Sequence, residues 1–371
     1  MKKIQQSERS SRRIRGLPPL LQSPDAATRY PRPNNCRRSV ELIIMKEDWN
    51  TITQMLKQEK SHDQLDMTIT SSRNTSRVDK IFEIIDSFNR DLPMELLKKR
   101  GNEEAKALLL TLIAFGGKQF VMRRYAYEIE RYQRWFGTLL HAACRFNVSI
   151  DVVSQLVEVG GKELVMANDG YGSSSLHVAC ENNASVDVVS KLIEVGGKQL
   201  VLRKDSAHHN SLRIACERNA SIGVVSKLIN VGGNELVQER FENGTNLLHI
   251  ACKKNASVDV VSKLIEVGGK ELIIEKDIWR QNSLLIACEN NASIGVVSKL
   301  IEIGGNELVQ ERFNNGTNLL HIACKNNASD DVVSKLIEVG GKRLVMMKHK
   351  RNKKNPLHIA CEYGASIGVV S

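Results

Sequence analysis

The sequence predicts an all-α helical solenoid with extended finger loops, preceded by a helical N-terminal region and a disordered basic tail. Three observations carry this reading. Cysteines stand at 144, 180, 216, 252, 288, 324 and 361, spaced by 36 residues five times and then by 37. Each lies in a short apolar block such as LLHIAC at Leu247–Cys252. A second block follows each copy, of the form S-x-x-V-V-S-x-L-[IV]-x-[VI]-G-G, as in Ser257–Gly269. Self-similarity at a fixed period of about 20–50 residues marks a solenoid or a propeller, and the apolar spacing decides between them.

Residues 1–40 hold ten basic side chains against Glu8 and Asp25, and five of the seven prolines. They carry too little apolar surface to offset the entropy of ordering, so this segment reads as a disordered basic tail. The remainder of the chain carries only +3 of the total charge of +11. The basic balance thus describes an arm on a nearly neutral body. Residues 41–137 read as an N-terminal helical region. Within it, Glu41–Lys60 and Val78–Asn89 are expected helices and Ser61–Arg77 a polar linker. A degenerate capping repeat is expected over residues 93–121. There Leu108, Leu109, Leu112, Ile113, Phe115, Gly116 and Gly117 copy the second block's pattern. The longest apolar run, Ala105–Phe115, has eleven residues. A spanning helix needs about twenty, so no membrane segment is expected.

Residues 138–371 form the array, which stops within its last repeat. In the second block, Val260, Val261, Leu264, Ile265 and Val267 make one apolar stripe of helical period. A serine stands just ahead of each copy, at 149, 185, 221, 257, 293, 329 and 366. It is placed to accept a bond from a free backbone N–H as an N-cap. The doublet Gly268-Gly269 is expected to end the helix in a left-handed conformation. The first block makes a shorter helix. About fifteen residues of extended or turn-like chain then link each glycine doublet to the next first block. A longer rhythm overlies the first: ERFENGTNLLHIAC at Glu239 returns as ERFNNGTNLLHIAC at Glu311, two repeats on.

These residues resemble ankyrin repeats, whose signature runs G-x-T-P-L-H-x-A-A and then V-V-x-x-L-L-x-x-G-A. Gly244, Leu248, His249, Ile250 and Ala251 fall on the first part, with Cys252 at the second alanine. Val260, Val261, Leu264, Ile265 and Gly268 fall on the second. The resemblance covers roughly Thr138–Ser371. Arg213 and Leu285 replace two of the histidines, and the period exceeds the family's usual one by three residues. His208, Arg280 and Lys353 replace the finger glycine in alternate repeats, where a non-glycine residue at positive φ is strained. The resemblance implies that fingers and first helices line a concave groove for protein partners.

Catalytic, cofactor and metal chemistry find no support. Polar residues recur in register, whereas a nucleophile and its base must be unique and convergent. His249 and Cys252 supply at most two metal ligands, and the next repeat's set lies about 8–10 Å away. That spacing also excludes disulfides between repeats. The cysteines read as small buried apolar residues and the histidines as structural hydrogen-bonders. The informative residues are those that break register in the fingers: Tyr171, Arg240, Phe241, Trp279, Arg280, Arg312 and Phe313. Such aromatic and arginine side chains anchor protein interfaces. The expected function is a non-catalytic scaffold, monomeric and cytoplasmic, that binds an unidentified protein and no membrane. The alternatives are nucleic-acid or nuclear association through the tail and Lys348–Asn355, or the recruiting arm of a larger protein.

Overall fold

The computed structural model describes residues 53–54, 92–99, 101–128, 134–313 and 316–365. The expected tail, the linker and the helices expected over Glu41–Lys60 and Val78–Asn89 lie outside the described residues, apart from Thr53 and Gln54. The unit from Asp91 onward is built of stacked helices. It opens with α1 (Leu92–Lys98) and α2 (Glu103–Met122), then β1 (Tyr125–Glu128) and β2 (Arg134–Gly137). The repeats follow: α3 (Leu139–Arg145) with α4 (Ile150–Val165), α5 (Ser175–Glu181) with α6 (Val186–Val201), and α7 (Ser211–Glu217) with α8 (Ile222–Gly232) and α9 (Asn234–Val237). Next come α10 (Leu247–Lys253), α11 (Val258–Gly268) and α12 (Glu271–Ile274), then α13 (Ser283–Glu289), α14 (Ile294–Gly304) and α15 (Asn306–Val309). The described array ends with α16 (Leu319–Lys325), α17 (Asp330–Met346) and α18 (Pro356–Glu362).

The second helices bury most of the stripe read from the sequence. In α11 Val260, Val261, Leu264 and Ile265 are buried, joined by Gly268, while Val267 is half-buried; in α17 Ile337 is exposed. The apolar residues of the first helices α3, α5, α7, α10 and α13 are buried almost completely, including Leu247, Leu248, Ala251 and Cys252 in α10, whereas in α18 Leu357 and Cys361 are exposed. Each pair covers its neighbour's apolar face, so the core runs from repeat to repeat. The cap serines behave as expected at Ser185, Ser221, Ser257 and Ser293. Each accepts from the backbone N–H three residues on, at 3.3–3.5 Å. Ser149 and Ser329 stand at the N-cap without a side-chain cap bond. The turn before each second helix contains an asparagine at positive φ: Asn147, Asn183, Asn219, Asn255, Asn291 and Asn327. Asparagine tolerates this conformation better than other side-chain-bearing residues do. Its amide also ties the repeats together. Asn183, Asn219 and Asn291 donate to the carbonyls of Arg218, Lys254 and Asn326 at 3.1, 2.7 and 2.7 Å. The recurring Asn-x-Ser triplets of the array are thus a left-handed turn followed by a cap.

The glycine doublet serves two distinct needs. At the first glycine, Gly160, a Cβ would lie 2.4 Å from Leu164 Cδ2. The second, Gly161, has φ 62° and ψ −161°, a region reached essentially by glycine alone. This break does not end the helical chain. A third, short helix follows, seen as α9, α12 and α15 and as the last turns of α4, α6 and α17. Its apolar pairs, such as Leu236-Val237 and Leu272-Ile273, are buried. The expectation of fifteen extended or turn-like residues after each doublet is therefore wrong for the first of them.

Three further differences stand out. Helix α2 runs twenty residues, not eleven, and is long and apolar enough by length and composition to cross a membrane. Gly117 breaks it, at φ 57° and ψ −158°, and Leu108, Leu109, Leu112 and Ile113 are buried in the protein core. Residues 125–128 and 134–137, placed in a helical region by the sequence reading, pair instead as antiparallel strands, Tyr125 with Gly137 and Tyr127 with Trp135. Finally, the alternate fingers keep the family turn without glycine. His208, Arg280 and Lys353 take φ 59°, 64° and 57°, beside 75°, 71° and 78° at Gly172, Gly244 and Gly316.

Candidate protein-binding surface

The fingers span residues 166–174, 202–210, 238–246, 275–282, 310–318 and 347–355, and are numbered 1–6 here. Fingers 1 to 5 each close on one backbone bond of common form: Asp169 N–H to the Ser173 carbonyl (2.8 Å), Phe241 to Thr245 (3.0 Å), Asp277 to Gln281 (3.0 Å); in finger 6 the bond runs one residue farther, from His349 N–H to the Lys354 carbonyl (2.8 Å). Within that frame the fingers are of two kinds. In fingers 1, 2 and 4 an aspartate organises the turn. Asp277 Oδ1 accepts from the N–H groups of Trp279 and Gln281 at 2.9 and 2.8 Å. Asp169 and Asp205 do the same in fingers 1 and 2. In fingers 3 and 5 a phenylalanine, Phe241 or Phe313, replaces the aspartate. In finger 6 His349 stands there, its Nδ1 accepting from the N–H groups of Arg351 and Asn352 at 3.1 and 3.4 Å.

A buried polar spine fixes the roots of the fingers. His141 Nδ1 accepts the Thr138 N–H at 3.3 Å, and its Nε2 donates to the Ser173 carbonyl at 3.1 Å. His177 repeats this with Ser174 and Arg203, both at 3.1 Å, and His321 with Asn318 and Lys354, at 3.3 and 3.2 Å. At His141 and His177 the bonds fit the neutral tautomer with hydrogen on Nε2. Burial favours the same form, pushing His141 down to about 4 and lowering His177, His249 and His321. At three of the asparagine caps, Asn210, Asn246 and Asn282, a carboxylate joins the spine, while Met347 takes its place at Asn318. Asn246 Oδ1 accepts from the His249 N–H at 3.0 Å, while its Nδ2 donates to Glu275 Oε2 at 2.8 Å. Glu275 also pairs with Arg240 one finger back, as Glu239 pairs with Lys204 and Glu311 with Lys276. Sequence reasoning missed this ladder. Its signal was the Glu at 239, 275 and 311, each at one constant offset from an Asn cap at 210, 246 or 282.

Among the described cysteines, Cys361 alone is exposed. Six are buried, and burial pushes the Cys144, Cys216 and Cys288 thiols up to about 12. Among the described residues no His, Cys, Asp and Glu group is arranged to hold a metal ion.

The seven candidate anchors separate into two groups. Trp279 is 61% exposed beside Ile278 at 64%, and Tyr171 is 51% exposed. Arg280 and Arg312 are exposed as well. Tyr171 and Trp279 occupy one tip position, three repeats apart, each with its N–H held by the preceding aspartate. Phe241 belongs to the other group. It is only 7% exposed, and the Arg213 guanidinium lies over its ring, 4.3 Å from the centroid. Its expected role as an anchor is corrected: it packs the finger against the preceding first helix. Phe313, at the equivalent place, is half-buried. Arg240 is partly tied down by its pair with Glu275. Arg213, which replaces a spine histidine, gives up the ring's bonds and instead pairs with Glu217 at 3.0 Å and covers Phe241.

Residues 284–370 match the family model described as ankyrin repeats, in three copies. Among solved structures, the chain is similar to the human ASB11 ankyrin repeat domain at 20% identity. That match covers 62% of this chain and 94% of that one, with a TM-score of 0.49. It is also similar to the ankyrin repeat domain of Bcl-3, a unique member of the IkappaB protein family, at 24% identity over 62% and 95% of the two chains, TM-score 0.46. Comparison with curated proteins gives no match. The 36-residue period and the glycine doublets continue upstream of the matched segment. Residues 284–370 are ankyrin repeats, and the copies from Leu139 onward follow the same plan.

Proposed function

We propose that the chain is a non-catalytic scaffold that binds a partner protein through its finger tips and the adjoining first-helix face. Ankyrin-repeat domains are in general protein–protein interaction modules. The observation that supports the finer reading is the tip of finger 4. There two large apolar side chains, Ile278 and Trp279, stand exposed on a turn held by the buried Asp277. An indole presented on a rigid turn loses little conformational entropy on docking, which is the character of an interface anchor. Affinity capture with the intact chain tests the reading. Trp279→Ala and Arg280→Ala are expected to release captured partners without altering the circular dichroism spectrum. Retention of every partner by both variants would overturn it.

A second reading is favoured by one observation. Lys348, Lys350, Arg351 and Lys353 lie together in finger 6, with Lys350, Arg351 and Lys353 exposed. Nucleic-acid association through this finger and residues 1–40 would be steeply salt-dependent. A titration with single-stranded RNA at two salt concentrations, with and without residues 1–40, separates the two readings. The protein is proposed to be monomeric and cytoplasmic, which sedimentation and cell fractionation check.

A further inference from the structure

The tip positions of the fingers can be compared in register. They hold Gly170-Tyr171, Ser206-Ala207, Glu242-Asn243, Ile278-Trp279 and, in finger 6, Lys350-Arg351. The apolar pair and the basic pair therefore occupy the same place on the scaffold, two repeats apart. The fingers between them are in file. Lys276 of finger 4 pairs with Glu311 of finger 5, and Lys350 of finger 6 lies against Gly316 of finger 5. Basic charge is concentrated at the end of this row. Residues 342–354 hold Lys342, Arg343, Lys348, Lys350, Arg351, Lys353 and Lys354 with no acidic residue. Among the described residues, Lys354 is the one cation of finger 6 fixed by an ion pair, with Glu362 at 2.7 Å.

We infer that the row formed by fingers 4 to 6 recognises an extended protein segment of two-part chemistry. An apolar or aromatic side chain sits on Ile278-Trp279, and an acidic run sits on Lys350-Arg351. The inference rests on the proposed protein-binding function and names the chemical class of partner. Helix layers stack at about 8–10 Å, so two repeats span about 20 Å. Extended chain rises about 3.3 Å per residue, so the two parts of the ligand are separated by about six residues. Charge decides between macromolecules. A nucleic acid carries a charge at every phosphate, whereas fingers 4 and 5 offer no net positive charge: Glu275 and Asp277 stand against Lys276 and Arg280, and Glu311 against Arg312. A peptide can place its acidic groups at finger 6 alone. Charge also argues against the chain's own residues 1–40, whose net +8 repels this finger.

The test is selection of 16-residue peptides from a random phage-displayed library on the intact chain. Enriched peptides are expected to pair an aromatic or large aliphatic residue with three or more Asp/Glu about six residues away. A synthetic copy of an enriched peptide should lose about tenfold or more affinity for both W279A and K350E/R351E. Arg351→Glu alone, a change at an exposed side chain, should weaken it by a smaller factor in the same direction. Raising NaCl from about 0.15 to 0.5 M should weaken wild-type binding several-fold and leave K350E/R351E little changed. Melting curves of the variants should match the wild type. Enriched peptides without acidic runs, or indifferent to K350E/R351E, overturn the two-part ligand while leaving protein binding intact. No enrichment at all overturns both. Tight binding of poly(U) that competes with the selected peptide assigns finger 6 to nucleic acid and overturns the inference.

Discussion

Replacing Phe241 by alanine should unfold part of the array, whereas replacing Trp279 should not. The ring of Phe241 is 7% exposed, with the Arg213 guanidinium 4.3 Å from its centroid. An aromatic side chain of this size removes about 150 Å² or more from water, worth about 4 kcal/mol at roughly 25 cal/mol per Å². Residual burial in the unfolded chain lowers this to about 3 kcal/mol, and loss of the cation–π contact restores about 0.5 kcal/mol. A destabilisation near 3 kcal/mol shifts the melting midpoint of a domain this size by about 6–12 °C. Trp279 is 61% exposed, so its truncation should stay within about 0.5 kcal/mol. Far-UV circular dichroism melts of both variants make the comparison, read at the first transition because repeat arrays unfold in segments. A Phe241→Ala midpoint within about 2 °C of the wild type, or an equal loss in Trp279→Ala, would refute the division between packing and tip residues.

Acid should weaken the fold through the histidine spine. The His141 pKa is depressed from 6.5 to about 4, so its contribution is complete above pH 6.5 and is lost as pH falls toward 4. The loss from this group reaches about 3 kcal/mol near pH 4, visible as a falling urea midpoint across that window. The glycine doublet gives a contrast between two alanine variants. In Gly196→Ala the new Cβ would meet Leu200 Cδ2 at 2.5 Å, costing about 1–3 kcal/mol that trimming Leu200 partly relieves. Gly197→Ala meets nothing within 4 Å but is held at φ 64° and ψ −165°. It costs a similar amount that no trimming of Leu200 relieves, and a double-mutant cycle in urea separates the two. Thiol titration with a disulfide reagent at pH 8 should find Cys361 reactive in the native protein. Cys144, Cys216 and Cys288, with pKa pushed up to about 12, should react only on denaturation.

The repeat, its caps and its apolar stripes were legible in the sequence because each is a local pattern multiplied by copying. The short third helix was hidden by its own glycine. A doublet that stops one helix says nothing about whether another starts, and Leu272-Ile273 is too short a run to carry a period. The strand pair left a clearer trace in its first strand, where Tyr125 and Tyr127 alternate with Ala126 and Glu128, the two-residue rhythm of a strand; in the second strand Trp135 and Phe136 stand side by side. At the candidate surface, register-breaking picked out Tyr171, Trp279 and Arg280, whose side chains are exposed. It could not separate them from Phe241, because the partner that buries Phe241 is Arg213, which sits on α7 in the repeat before. The glutamate ladder was equally non-local: each Glu is explained by an asparagine one repeat before it.

The central claim is that the finger tips stand in single file at one repeat per step, so that a partner can read them in order. Spin labels on cysteines placed at tip positions 207, 279 and 351, two and four repeats apart, test it directly by pulsed electron–electron distance measurement. Distances from position 207 are predicted to grow steadily, to about 20 Å at 279 and about 40 Å at 351. Equal distances for the two pairs, or a shorter one for the farther pair, would contradict it.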